Sequence, residues 1–233
     1  MKSNLRQLLS ALLPALGLLG TPGQAQDKAA CEVAVAALTL PDDSSGLLNV
    51  RTAETATSPL QLSTRYFSER VKLPGLVIQF FKDPVAATPA TPAAVPLLTL
   101  QIPAETKLAY AVLWSETDKN HQPVWKGRVF NARDWDQSSL KVFNATSEPV
   151  GIQAGAKQIL LVQGKSTDFP SRDWGEPFPA KIFQLQPERK CIFSSTWRVA
   201  AGNRELCFIF KANNAVTLRS LLDIAPTQRT PAP

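Results

Sequence analysis

The sequence predicts an all-β fold arranged as two consecutive antiparallel sandwich-like halves. Three observations carry this expectation. Apolar and polar residues alternate with period two in many short runs, Pro and Gly punctuate those runs at close intervals, and amphipathic spacing with a 3.6-residue period is nearly absent. A parallel sheet would need a crossover connection, usually a helix, between successive strands. With so little helical patterning, sandwiches and barrels are the architectures that remain.

The chain opens MKSNLRQLLSALLPALGLLGTPGQA, with Lys2 and Arg6, an apolar run from Leu8 to Leu19, then Gly23 and Ala25. This order of charge, apolar core and small-residue site reads as a secretory signal peptide over residues 1–25. The run of about 12 apolar residues is too short for a membrane-spanning helix, which needs about 20, and a buried N-terminal helix is the weaker reading of it. Lys28 argues against a lipid anchor on Cys31. Export to the periplasm or the extracellular space is therefore expected, with no transmembrane segment in the mature chain. Cleavage would remove Lys2 and Arg6, leaving 23 basic against 19 acidic residues and lowering the formal net charge from +6 to +4. The remaining basic residues are interspersed with acids, which argues against nucleic-acid binding and leaves weak attraction to anionic envelope polymers as one option.

Residues 26–44 form an N-terminal segment in which DKAACEVAVAALTL fits a helix or a strand, and Val33 and Val35 favour the strand. Strands are expected at 47–52, 59–66, 76–82, 97–102, 108–115 and 123–130, within a first β-domain over 45–132. Inside it, DPVAATPATPAAVP (83–96) has four prolines and no charge after Asp83, the composition of an exposed extended loop. A linker is expected at 133–138. Further strands follow at 139–144, 149–153, 157–163, 180–185, 191–198, 205–211 and 216–222, in a second β-domain over 139–224. The tail 225–233 reads as disordered. Period-two spacing places Ile78 with Phe80, Tyr110 with Val112 and Trp114, and Leu206 with Phe208 and Phe210 on core faces.

The order of these features points to duplication. Residues 44–64 can be laid over 138–155, residues 101–114 over 184–197, and the expected hairpin 115–130 over 198–210. Two sandwich halves, immunoglobulin-like in architecture, account for that order.

Arg-Asp-Trp occurs twice, at Arg133-Asp134-Trp135 and at Arg172-Asp173-Trp174, the second inside an expected long loop 164–179. The two triplets do not coincide in the overlay. The favoured reading is structural: an Asp before a Trp closes an Asx-type turn and the indole covers a sheet end. The functional reading makes Trp135, Trp174, Arg133 and Arg172 a stacking surface for a sugar, a peptide or an aromatic ligand. Asn144-Ala145-Thr146 matches an N-glycosylation acceptor and equally a turn. Cys191 and Cys207 flank an expected hairpin and form the nearest disulfide candidate. Pairing of Cys31 with either of them, or three free thiols, are the competing arrangements.

The single histidine, His121, falls at an expected hairpin tip, a poor setting for a triad base. The cysteine spacing resembles no metal site, no Gly-rich phosphate loop occurs, and no cofactor is expected. Asp134, Asp136, Asp173 and Glu176 lie too close to turns and basic residues to suggest a catalytic pair. The expected function is thus non-catalytic: an exported β-domain protein with an interaction or structural role at the envelope or outside the cell, its partner an envelope polymer or a protein. The alternatives are a small secreted hydrolase acting on glycans through carboxylates gathered by the fold, and a carbohydrate-binding module using Trp135 and Trp174.

Overall fold

The computed structural model describes residues 31–40, 45–52, 56–84, 94–119, 122–212 and 215–223. The expected signal peptide, His121, most of the loop 83–96 and the tail 225–233 lie outside the described residues. The first half contains β1 (Cys31–Ala37), β2 (Leu47–Arg51), β3 (Thr57–Gln61), β4 (Val71–Leu73), β5 (Val77–Phe81), β6 (Leu98–Gln101), β7 (Leu108–Thr117) and β8 (Pro123–Asn131). A 3-10 turn (Ala132–Asp134) follows. The second half contains β9 (Ser139–Asn144), β10 (Val150–Ala154), β11 (Lys157–Leu161), β12 (Ser166–Pro170), the short helix α1 (Ser171–Trp174), β13 (Phe178–Gln184), β14 (Lys190–Trp197), β15 (Arg204–Ala212) and β16 (Ala215–Asp223).

Four four-stranded sheets result. In the first half, β3-β2-β5-β6 is outer sheet I and β4-β1-β7-β8 is inner sheet I; in the second, β11-β10-β13-β14 is outer sheet II and β12-β9-β15-β16 is inner sheet II. Adding eight to every strand number of the first half reproduces the second, including the parallel pairing of β1 with β7 and of β9 with β15. The equivalence reaches single residues. Leu38 N–H donates to the Leu113 carbonyl at 2.7 Å, and Ala145 N–H donates to the Ile209 carbonyl at 2.8 Å. The all-β, two-sandwich expectation therefore holds, with one topology used twice. Its strand order differs from the ABED/CFG order of an immunoglobulin constant domain.

The sequence overlay pairs β2 with β9 and β7 with β14, one strand away from the structural equivalence of β2 with β10 and β7 with β15. The cause is β1, whose Ala-rich CEVAVAA is covered on both faces and so lacks the polar alternation that marks a half-exposed strand. Within the segment 26–44, expected to precede the first domain, Cys31–Ala37 forms an internal strand of inner sheet I.

Three cores separate the layers. Val33, Val35, Val50, Ile78, Phe80 and Leu113 pack between the sheets of the first half. Val142, Ile152, Phe169, Ile182, Cys207 and Ile209 do so in the second. The remaining faces of the two inner sheets meet through Ala36, Tyr110, Val112, Phe143, Leu206 and Phe208, with Trp135 among them. The four sheets thus stack as layers, and the expected linker 133–138 carries a core residue. The halves also share a short parallel bridge at the edge of β16: Leu222 N–H donates to the Arg65 carbonyl at 2.9 Å, and Phe67 N–H donates to the Leu222 carbonyl at 3.1 Å.

The expected hairpin around Ala201-Gly202-Asn203 does not form. β14 pairs with β13 in outer sheet II, whereas β15 pairs with β9 and β16 in inner sheet II, so residues 198–203 cross between sheets. Cys191 lies exposed on an edge strand, Cys207 is buried in the second core, Cys31 is buried in the first, and all three are free thiols. Of the arrangements the sequence leaves open, three free thiols is the one in this fold, and the candidate Cys191–Cys207 bridge is not formed. Asn144 is fully buried: its Nδ2 donates to the carbonyls of Glu148 and Leu161 at 2.8 and 2.9 Å, and its Oδ1 accepts from the Thr146 N–H and hydroxyl. With both amide hydrogens engaged inside the fold, this triplet is a turn rather than a glycan acceptor.

Candidate functional site

Three connections meet at one end of the second sandwich: residues 131–138, 170–175 and 198–203. Ser138 ties them together. Its carbonyl accepts from Ser171 N–H at 2.8 Å, its N–H donates to the Asn203 carbonyl at 2.9 Å, and its Oγ accepts from Gly202 N–H at 2.6 Å. Ser138 adopts a left-handed φ of 66°, a conformation that costs a non-glycine residue energy and that these bonds hold in place. The Asx-type cap on the preceding 3-10 turn comes from Asn131, whose Oδ1 accepts from Arg133 N–H at 3.0 Å.

Two shallow clefts open here. One, of about 420 Å³, is lined by Ser171, Arg172, Gly175, Arg198 and residues 199–201. The other, of about 310 Å³, is lined by residues 136–138 and 170–172. They share Ser171 and Arg172, and the second cleft brings residues 136–138, just after the first Arg-Asp-Trp triplet, beside the start of the second triplet. Arg198 Nε donates to the Gly175 carbonyl at 3.1 Å, which orients its guanidinium. Arg172 lies 3.6 Å from Asp173, both largely exposed, a contact that contributes little to stability.

The four residues expected to form a stacking surface are distributed differently. Arg172 lines both clefts. Trp174 is half-buried against Phe169 and Phe178, with ring centroids 5.2 and 4.5 Å away, and closes the end of the second core. Arg133 is exposed beside Glu105. Trp135 is only 1% exposed, packed edge-on against Tyr110 at 5.1 Å. An indole so enclosed has no free face for a sugar or peptide, so the joint surface with Trp174 is not assembled. Arg198 went unnoticed in the sequence because RVAAGN has the composition of a plain turn.

A polar network is enclosed where the inner sheets meet. The Tyr110 hydroxyl donates to Asp223, Arg204 Nη1 donates to the Tyr110 hydroxyl at 3.0 Å, and Arg204 Nε donates to the Trp135 carbonyl at 2.8 Å. Burial, reinforced by the hydrogen bond and charge of Asp223 and opposed by Arg204, pushes the Tyr110 phenol up to about 12. Glu205 is a second enclosed acid: burial pushes its carboxyl up and a hydrogen bond from Ser220 opposes the shift. Alternation along β15 directs Glu205 toward the second core with Cys207, whereas Arg204 and its partner Asp223 face the inner interface. These two acids lie on opposite faces of one sheet and cannot converge on a glycosidic bond. Among the described residues, no group of three or more His, Cys, Asp or Glu is placed to hold a metal ion.

Chemically, the clefts offer guanidinium groups, a serine hydroxyl and a small apolar floor, a set suited to a carboxylate or another planar anion. Neither protein-family models nor curated proteins give a match to this chain.

Proposed function

We propose that this chain is an exported, non-catalytic interaction protein that engages an anionic partner at the loop end of its second sandwich. The observation that carries the reading is the placement of Arg172 and Arg198 in the wall of one cleft, on connections braced through Ser138 and fed by regular strands. Binding residues are commonly presented by loops on such a scaffold. The glycan-hydrolase alternative finds less support, since Asp136 shares its cleft with Arg172 and the enclosed acids Glu205 and Asp223 face apart.

The test uses leader-free protein with poly-glutamate as the anionic probe and a neutral glucan as the control, followed by titration calorimetry. Poly-glutamate should bind with an affinity that falls as salt is added. The double variant Arg172→Ala/Arg198→Ala should lose that binding without a lower melting temperature. Equal binding by the variant, or preference for the glucan, would overturn the reading. Export is tested by fractionation: retention of residues 1–25 on protein confined to the cytosol would overturn that part.

A further inference from the structure

We infer that the outer edge of β14 is a strand-addition site for an extended segment of a protein partner, uncharged along five to seven residues and flanked by carboxylates. The inference deepens the preceding reading, on which it rests only for the role of Arg198. Sheet edges invite a further strand unless something blocks them, and the other edges here carry blocks. Pro59 interrupts β3, and β4 and β6 are only three and four residues long. Charges or prolines interrupt β8 and β12, and β11 has only four uncharged residues after Lys157. β16 carries Arg219 and is bridged at its far end by Tyr66. The run Cys191–Trp197 on β14 has neither charge nor proline, and after an irregularity near Ile192 it pairs regularly with β13 from Phe193 to Trp197.

The internal repeat provides a control. In the first sandwich, Leu98 and Leu100 of β6 crowd against Gly127 of β8, reaching 3.2 and 2.8 Å from where its Cβ would stand, so this side is closed. The equivalent position on β16 is Leu218, since Leu113 pairs with Gly127 as Ile209 pairs with Leu218. Leu218 there is partly buried against the second core, alongside Phe193 and Trp197 of β14. Phe193 and Trp197 are left half-buried on the core side, and by alternation Ser195 makes a step between them that an incoming apolar side chain would fill.

Charge selects the occupant. Arg189 and Lys190 precede the uncharged run, with Glu188 beside them, and Arg198 follows it at the cleft. A second copy of this chain added antiparallel about Ser194 would set Lys190 opposite Arg198, and like charges directly opposed are unfavourable. A partner segment with acidic ends meets a cation at each end. Its main chain supplies the hydrogen bonds, and its alternate side chains supply specificity.

The probe is a synthetic peptide, Glu-Thr-Val-Thr-Val-Thr-Val-Thr-Glu, compared with a lysine-ended analogue and with two analogues N-methylated on alternate sets of residues. Affinity is read by fluorescence polarisation and location by amide hydrogen exchange. The glutamate-ended peptide should protect amides within 193–197. The lysine-ended analogue, one N-methylated analogue and the Ser194→Asp variant of the protein should each bind roughly tenfold more weakly or worse. Equal affinity for both N-methylated forms, or protection elsewhere, would overturn strand addition. Indifference to end charge would overturn the acidic partner, and a dimer dissociated by the peptide would assign the edge to a second copy instead. Absence of poly-glutamate binding with β14 still protected would sink the cleft reading alone, whereas cleft binding with β14 unprotected would sink strand addition alone.

Discussion

Ionising Tyr110 should force the two inner sheets apart. The phenol is fully buried, donates to Asp223 and is raised to about 12 by burial and that carboxylate. A group whose folded value is raised holds its proton more tightly in the folded state. Its contribution is fully present below about pH 10 and is lost as pH rises through about 12. The difference corresponds to roughly 2–3 kcal/mol, a large part of a domain stability of about 5–15 kcal/mol. The chain has two tyrosines, so in a Tyr66→Phe background tyrosinate absorbance reports Tyr110 alone. That absorbance should rise only together with the change in tryptophan fluorescence that marks unfolding. Tyr110→Phe should flatten the alkaline limb while costing about 1–3 kcal/mol at neutral pH, because Asp223 loses a buried donor. Tyrosinate appearing near pH 10 with the tryptophan signal unchanged would refute the reasoning.

Gly127→Leu, which installs the residue type that β16 has at the equivalent site, should destabilise by about 1–3 kcal/mol through overpacking against Leu98, Leu100 and Leu113, read as a lower denaturant midpoint. Asn144→Ala should cost about 2–3 kcal/mol by removing the donor to the buried Leu161 carbonyl and the acceptor of the Thr146 N–H, while the Glu148 carbonyl keeps the Thr146 hydroxyl, and intact-mass measurement should find no glycan on wild-type material from a glycosylating host. Alkylation of native protein should modify Cys191 alone, with Cys31 and Cys207 reacting only after unfolding; a disulfide among the three on mass mapping would contradict the fold.

Much of the architecture was legible because half-exposed strands announce themselves by alternation. β9 is read at its true bounds, and β2, β5, β13 and β15 within two residues. What escaped has physical causes. β1 lies between two cores and loses its polar face, so its pattern was ambiguous and the overlay slipped by one strand. β4 is three residues long, and β12 reads STDFP, whose composition belongs to a loop. The function of Trp135 was illegible for a different reason: a tryptophan beside charged residues looks the same in sequence whether it caps a surface or fills an interface. Arg198 becomes notable only when residues 171–175 fold against it. Periodicity reports which face of a strand is wet, not which loops from distant strands will meet.

The meeting of inner sheets I and II through the same face of each unit has the form of an isologous dimer contact, yet it is made within one polypeptide. A separate pair of such units would associate only above some threshold amount in solution. Here the short tether through Ala132–Asp134 keeps each unit at an effective concentration in the millimolar range around the other. Dilution would therefore leave this contact closed, and its melting temperature should be independent of how much protein is present.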